Sequence, residues 1–173
     1  MTTTNCQVRV DDILEVEADV LVCSANVYLT MSGGVGGAFA QRFGTAMQEN
    51  LFQFLAERGL RHVNQGDIVE MPACGSTYRA VLHAVAVDGT YDTTPAVVTD
   101  LVVACLRRAS ELAAQSVALT ALATGYGRQS IAFFGQALAP VMVMDFAPVN
   151  RVIVGVRSTS DADELRSVLG SFR

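Results

Sequence analysis

Two glycine-rich segments are the part of this sequence best suited to holding an anion. The first, NVYLTMSGGVGGAF (residues 26–39), contains two glycine pairs separated by one valine, and the second is ATGYGRQS (residues 123–130). Because glycine has no Cβ, backbone amides in such loops can approach phosphate oxygens closely. For either loop alone, a tight turn with close helix–strand packing is the favoured interpretation. Two such loops facing each other could instead cradle a diphosphate, and for the pair the two interpretations stay open.

The glycine segments do not match the common nucleotide-binding motifs. No Gly-Lys-Ser/Thr follows either one, so the sequence has no P-loop. The dinucleotide fingerprint reads G-x-G-x-x-G/A, and Gly34-Val35-Gly36 could supply its first three positions. The sixth position, which needs glycine or alanine, would then be Phe39.

The cysteines and histidines predict neither a metal site nor a cofactor. The four cysteines (Cys6, Cys23, Cys74 and Cys105) form no CxxC pair, and the two histidines add no ligand spacing. Cys23 could be a nucleophile only with a lowered pKa and a nearby base. His83 lies in an apolar segment, so a small buried side chain is the favoured interpretation of Cys23, with the nucleophile left as the alternative.

Length and charge predict a single acidic domain over residues 1–173. The formal net charge of −5 disfavours binding to a nucleic-acid backbone, which requires clustered Lys and Arg. The apolar runs are too short to span a membrane, and the N-terminal segment lacks the pattern of a signal peptide. We therefore expect a cytoplasmic protein with no membrane partner.

Apolar segments alternate with helical patterns along the chain. Strands are predicted at 6–10, 20–24, 67–71, 78–87, 117–122 and 151–156. Apolar residues recur every four positions from Val35 to Leu55, which predicts one helix ending near Gly59.

Further helices are predicted from capping residues. Thr94-Pro95 begins one that runs to about residue 114, and Ser130 begins another that Gly135 and Pro140 would weaken. Ser160 is predicted to cap the last helix. The order indicates an α/β fold with helices on both faces of a mixed sheet, and both glycine loops follow strands where such folds bind ligands.

Several segments together resemble the macrodomain family. The segment DDILEVEADVLVCSANVYLTMSGGVGGAFAQRFG (11–44) is similar to the opening of a macrodomain. GDIVEMPACGSTYRAVLHAVAVDG (66–89), SVALTALATGYGRQS (116–130) and RVIVGVRSTSDADEL (151–165) continue the match in order. The resemblance covers nearly the whole chain. It implies a three-layer α/β/α sandwich that binds ADP-ribose, free or attached to a protein, or a related nucleotide diphosphate.

The resemblance implies a role for each site residue. Asp12 would accept a hydrogen bond from the adenine amino group, with Ile13 contributing backbone beside it. Asn26 would contact the distal ribose and would be the catalytic residue if the chain is active. The first phosphate loop corresponds to Gly33, Gly34, Val35 and Gly36, and the second to Thr124, Gly125, Tyr126, Gly127 and Arg128.

Three side chains of the predicted site have alternatives that the sequence leaves open. Arg128 could add positive charge beside the diphosphate or be an ordinary exposed arginine. Tyr126 could pack on a ribose or fold onto the core. Arg157 falls where many relatives stack an aromatic ring on adenine. Its guanidinium could also stack on the base, or Arg157 could be a solvent-facing arginine at the end of a strand.

Two departures from the family pattern bear on activity. Cys23 replaces the first asparagine of the NAAN motif, and Gly36 replaces the aspartate that helps to position water in one hydrolytic branch. Glycine has no acceptor for this purpose. The leading hypothesis is a binding module. The alternatives are a hydrolase of ADP-ribose derivatives that uses ligand-positioned water, and a degenerate macrodomain that serves as an interaction scaffold.

Overall fold

A six-stranded mixed sheet forms the centre of the protein. The computed structural model describes residues 4–172. Its strands are β1 (Asn5–Arg9), β2 (Val20–Ala25), β3 (Ile68–Pro72), β4 (Ala80–Val85), β5 (Ser116–Thr120) and β6 (Arg151–Gly155). Their order is β1-β6-β5-β2-β4-β3, and every neighbouring pair is parallel except β3 with β4.

Helices cover both faces of this sheet. They are α1 (Gly34–Phe43), α2 (Ala46–Glu57), α3 (Pro95–Glu111), α4 (Ile131–Leu138) and α5 (Thr159–Gly170). One buried cluster joins α1 and α2 to the sheet, and a second joins α3, α4 and α5 to the opposite face. The predicted three-layer α/β/α sandwich is confirmed. None of the helices within residues 4–172 is long and apolar enough to cross a membrane.

The continuous apolar run of β2 is explained by burial on both faces. Leu21 and Cys23 point into the cluster with α1 and α2, whereas Val20 and Val22 belong to the cluster with α3, α4 and α5. A central parallel strand has no solvent face, so its sequence does not alternate. The pairing of β2 with β4 and β5 on either side fixes where β2 ends and its loop begins.

The single helix predicted from Val35 to Leu55 was wrong. The chain forms α1 and α2 instead, and α1 ends at Gly44, whose φ of 86° lies in the left-handed region favoured by glycine. The apolar spacing continues across the break because both helices pack on the same face of the sheet. As a result, α1 carries the first glycine loop and α2 is free to approach that loop from the side.

The capping predictions had mixed outcomes. Ser130 caps α4 as predicted, its Oγ accepting a hydrogen bond from the Phe133 amide at 3.1 Å. The prediction for Ser160 was wrong, because Ser158 caps α5 and accepts from the Asp161 amide at 3.1 Å. Gly135 lies inside α4, where a Cβ would come within 3.0 Å of Leu165 on α5. Its small size therefore permits close helix packing.

The sheet has a switch point between β2 and β5. From β2 the chain continues toward β3 and β4, and from β5 it continues toward β6 on the other side. Beyond the last paired residues a side chain joins the two strands, since Thr120 Oγ1 donates to the Val22 carbonyl at 3.0 Å and accepts from the Ser24 amide at 3.1 Å. Ligands of open α/β sheets bind at such a point.

At the opposite end of the same two strands, Asp19 joins β2 to β5. Its Oδ2 accepts hydrogen bonds from the amides of Gln115 at 2.7 Å and Ser116 at 3.0 Å, and Arg79 lies 3.5 Å from its Oδ1. Partial burial raises the pKa of this carboxyl. The hydrogen bonds and the arginine outweigh that effect and hold the pKa below its usual range.

The Asp19 contacts predict an acid-dependent loss of stability. The folded pKa lies below the unfolded value of 3.8, so the stabilisation is complete above that value and disappears as pH falls through the folded pKa. Asp19→Asn is expected to lower the free energy of unfolding by about 1 kcal/mol at neutral pH. Urea titrations at several pH values should show that the difference in the free energy of unfolding between Asp19→Asn and wild type becomes smaller below about pH 4. A difference that widens on acidification would contradict this account.

An exposed carboxylate provides the control for Asp19. Asp163 is paired with Arg166 one helical turn away at 3.2 Å, and its side chain is 68% exposed. Such surface pairs contribute little, so Asp163→Asn should change the free energy of unfolding by less than about 0.5 kcal/mol.

Candidate functional site

A cleft of about 860 Å³ opens at the carboxyl ends of the parallel strands. It lies at the switch point, and both glycine loops line it. Of the residues predicted for the site, the cleft brings together Asp12, Ile13, Asn26, Gly33, Gly34, Val35, Gly36, Thr124, Gly125, Tyr126, Gly127 and Arg157. Arg128 is exposed and does not line it.

A short 3-10 turn at Ile13–Glu15 places Asp12 at one end of the cleft. Asp12 Oδ1 accepts from the Leu14 amide at 3.0 Å, and Oδ2 accepts from Arg42 of α1 at 2.6 Å. Partial burial raises the pKa of Asp12, but these two donors outweigh it, so the net pKa is lowered. A carboxylate has about four acceptor positions, so Asp12 can still accept a hydrogen bond from a ligand.

Buried Tyr78 supports this turn from below. Its hydroxyl donates to the carbonyl of Ile13 and lies 3.0 Å from the carbonyl of Val16. Burial raises the pKa of the phenol, with the nearby Cys23 and Asp12 adding to the effect, so the hydroxyl remains a donor. Tyr78 thereby fixes the position of the turn that follows Asp12.

Tyr78→Phe should destabilise the protein by about 1–3 kcal/mol, because it leaves buried carbonyls without their donor. Chemical denaturation followed by circular dichroism measures this loss. The control is Tyr91→Phe, since Tyr91 is 40% exposed and its recorded contact is between rings. Equal small effects for both variants would show that the Tyr78 hydroxyl does not support the turn.

Asn26 organises the loop after β2 from within. Its side-chain nitrogen donates to the Thr30 carbonyl at 3.1 Å, and its side-chain oxygen accepts from the amides of Tyr28 at 3.0 Å and Thr30 at 3.4 Å. The side chain lines the cleft, but these hydrogen bonds occupy both of its polar atoms. Asn26 therefore shapes the loop, and its predicted contact with a ribose stays a prediction.

Gln48 of α2 holds the same loop from outside. Its Oε1 accepts from the Met31 amide at 2.7 Å and its Nε2 donates to the Leu29 carbonyl at 2.9 Å. Between these contacts Leu29 is buried with a φ of 55°, a conformation that a branched residue rarely adopts. The two hydrogen bonds hold the backbone on either side of this unfavourable residue.

The first glycine loop leads directly into α1. Gly33 is extended at the helix N-cap, and Gly34 has a φ of 57° in the left-handed region that glycine tolerates best. A Cβ on Gly36 would lie 3.3 Å from the Cα of Met31, closer than most Cβ contacts. Gly36, the position that the family resemblance matches to an aspartate of one hydrolytic branch, is therefore tightly packed against Met31.

The second glycine loop depends on Gly127. A Cβ at this residue would lie 2.4 Å from the Ala123 carbonyl oxygen and 2.9 Å from Val87. A Cβ on Gly125 would meet nothing within 4 Å. The loop is held further by the Ala123 amide, which donates to Ser24 Oγ at 3.2 Å, and by the Gln129 amide, which donates to the Ala123 carbonyl at 3.1 Å.

Tyr126 connects the two loops across the cleft. A Cβ on Gly33 would come within 2.4 Å of the Tyr126 hydroxyl oxygen, so the phenol rests directly on the first loop. Tyr126 is 62% exposed, and its ring lies 6.2 Å, centroid to centroid, from the ring of Tyr91. Of the two interpretations, the structure has Tyr126 facing the cleft and not folded onto the core.

The charged groups of the cleft are unevenly distributed. Its carboxylates are Asp11, Asp12, Asp161 and Glu164, all contributed by the turn after β1 or by α5. Arg157, two residues beyond β6, lines the cleft with its Nη2 at 3.8 Å from the position of a Cβ on Gly34. Its guanidinium thus lies beside the first glycine loop.

Cys23 and His83 form a buried cross-strand pair at the base of the cleft. Burial raises the pKa of the Cys23 thiol to about 12 and lowers the pKa of His83 to about 4. His83 Nε2 contacts the sulfur of Met47 at 3.3 Å. Both groups are neutral at physiological pH, so the thiol is not activated as a nucleophile. Within residues 4–172, no group of His, Cys, Asp or Glu side chains is arranged to hold a metal ion.

Sequence reasoning missed four residues that shape the site. Tyr78, Gln48 and Thr120 act through hydrogen bonds to backbone that is distant in sequence. Tyr91 reaches the cleft from the loop before α3. The one local signal was Tyr78 itself, since a tyrosine buried beside a strand normally needs a partner for its hydroxyl.

Sequence comparison extends these observations. The family model described as Macro domain matches residues 22–132. An uncharacterised protein of Pyrobaculum aerophilum is 35% identical over 114 residues, which are 66% of this chain and 61% of that protein. An uncharacterised protein of Mycobacterium tuberculosis H37Rv is 33% identical over 121 residues, 70% of this chain and 32% of the relative. The chain thus spans less than two thirds of the length of either relative.

Solved structures share the fold. A mutant macrodomain of Oceanobacillus iheyensis with ADPR superimposes with a TM-score of 0.80 at 21% identity, covering 98% of this chain and 94% of that one. The macrodomain of Trypanosoma brucei in complex with ADP-ribose gives a TM-score of 0.78 at 15% identity, covering 95% and 69%. With the family match extending over well more than half of the sequence, this chain belongs to the macrodomain family.

Proposed function

We propose that this macrodomain binds ADP-ribose, free or attached to a protein, and that it acts as a binding module. The observation that carries the proposal is that two glycine loops meet across one cleft at the switch point of the sheet, with Tyr126 of one resting on Gly33 of the other. The cleft volume of about 860 Å³ is in the range of small-molecule sites.

The proposed ligand position follows the polar groups of the cleft. The adenine amino group donates to Asp12, and the diphosphate lies between the amides of the two glycine loops. The distal ribose lies toward Asn26 and Tyr91, on the side away from α5. Support comes from solved macrodomains of similar fold: the Oceanobacillus iheyensis structure is with ADPR, and the Trypanosoma brucei structure is a complex with ADP-ribose.

The arrangement of titratable groups supports binding over hydrolysis. The four carboxylates that line the described part of the cleft lie on the β1 and α5 side, at the proposed adenine end. At the proposed ribose end, burial keeps Cys23 and His83 neutral. Gly36, where hydrolytic relatives have aspartate, packs against the backbone of Met31.

Calorimetric titration of the purified protein with ADP-ribose, ADP and AMP tests the proposal. We expect micromolar affinity for ADP-ribose, on the order of −8 kcal/mol, and weaker binding as the distal ribose and then the second phosphate are removed. Neither heat nor thermal stabilisation at millimolar ADP-ribose would overturn the proposal and leave the scaffold hypothesis.

A further inference from the structure

Arg157, which the sequence suggested as a residue that could stack on adenine, lies beside the first glycine loop. It follows β6, and its guanidinium Nη2 lies 3.8 Å from where a Cβ on Gly34 would be. Gly34 belongs to the first glycine loop, on the proposed phosphate path. On the neighbouring Gly33 rests the hydroxyl of Tyr126. A guanidinium and a phenol, both hydrogen-bond donors, therefore converge on the same glycine pair.

Within residues 4–172, no carboxylate forms an ion pair with Arg157. Arg42, Arg79, Arg108 and Arg166 each lie within 4.0 Å of a carboxylate, whereas Arg157 pairs with no carboxylate of residues 4–172. Over that same range, Arg157 is the one arginine that lines the cleft, against four carboxylates. An unpaired guanidinium in an otherwise acidic cleft is suited to an anionic group of the ligand.

We propose that Arg157 determines selectivity for a diphosphate by pairing with a ligand phosphate at the first glycine loop. This inference rests on the proposed function and assigns the phosphate role to Arg157 in place of Arg128. Backbone amides hold a phosphate by geometry, and Arg157 adds the positive charge that they lack. The planar guanidinium can donate two parallel hydrogen bonds to one phosphate, which a single amide cannot.

Two arginine variants test the inference as a matched pair. Arg157→Gln removes the cation beside the cleft, and Arg128→Gln removes an exposed cation from the adjacent loop outside it. Each is titrated calorimetrically with ADP-ribose, ADP and adenosine at about 0.05 M and about 0.5 M NaCl. Thermal midpoints without ligand should match wild type, since both side chains are exposed.

We expect Arg157→Gln to weaken the binding of ADP-ribose and of ADP by about tenfold at low salt. Its affinity for adenosine should change by less than about twofold. The weakening of ADP-ribose binding by salt should be smaller in this variant than in wild type. Arg128→Gln should leave all three affinities within about twofold. Equal losses for adenosine and ADP-ribose in Arg157→Gln would overturn the inference and indicate stacking on the base.

Inorganic pyrophosphate separates this inference from the proposed function. Wild type could fail to bind ADP-ribose while pyrophosphate raises the melting temperature of wild type but not of Arg157→Gln. In that case the proposed function fails and the phosphate role of Arg157 stands. If pyrophosphate stabilises both proteins equally, or neither, the phosphate role of Arg157 is overturned. The readout is scanning fluorimetry across a pyrophosphate titration.

Discussion

Gly127→Ala is expected to disrupt the second glycine loop and with it ligand binding. The new Cβ would lie 2.4 Å from the Ala123 carbonyl oxygen, a backbone atom that cannot rotate away. Relief requires movement of the loop, which should cost about 1–3 kcal/mol of stability. Because the loop amides must lie within about 0.5 Å of their productive positions, ADP-ribose affinity should fall by about tenfold or more. Urea denaturation and calorimetry measure the two effects.

Gly125→Ala is the matched control in the same loop. Its Cβ would meet no atom within 4 Å, and its φ lies outside the left-handed region. The change should therefore leave stability within about 0.5 kcal/mol of wild type. If the two alanine variants behave alike, the close approach of the chain at Gly127 does not determine the loop.

Asp12→Ala is expected to weaken ADP-ribose binding by about 1–3 kcal/mol, which is roughly 5- to 150-fold. The carboxylate is the acceptor proposed for the adenine amino group, and its removal leaves that donor without a partner. The substitution also removes the cap on Leu14 and the ion pair with Arg42, so a smaller loss of stability should accompany it. Calorimetry with adenosine and with ADP-ribose should show similar fractional losses.

Two controls separate the adenine contact from the cap. Asp12→Asn keeps a side-chain oxygen for the Leu14 amide and loses only the charge that pairs with Arg42. It should therefore lose less stability than Asp12→Ala and still bind ADP-ribose more weakly. Asp11→Ala removes the adjacent carboxylate, which accepts no turn hydrogen bond from residues 4–172, and should change affinity by less than about twofold. An affinity unchanged in Asp12→Ala would mean that the base is not recognised at this turn.

The sequence was sufficient where structure depends on local pattern. The six strands were predictable because their runs are apolar and bounded by turns, and the continuous run of β2 signalled burial on both faces. The break between α1 and α2 was not predictable in the same way. The four-residue spacing runs from Phe43 to Met47 without interruption, and only the left-handed φ of Gly44 separates the helices.

The candidate site divides along the same line. The glycines in the segments that follow β2 and β5 predicted both loops, because a requirement for no side chain is visible in the residue itself. The positions of the two arginines were not visible. Arg128, whose φ is 58°, lies outside the cleft. Arg157 follows β6, and its guanidinium lies beside the first glycine loop. The direction of an exposed side chain depends on contacts between segments distant in sequence.

The two anchors of the first loop affect the thermodynamics of binding. Asn26 and Gln48 of α2 hold the backbone around Leu29 through hydrogen bonds that the protein itself supplies. The conformational entropy of ordering this loop is therefore lost when the protein folds and not when the ligand arrives. A preorganised loop leaves more of the interaction free energy as affinity and lets association proceed without a slow rearrangement.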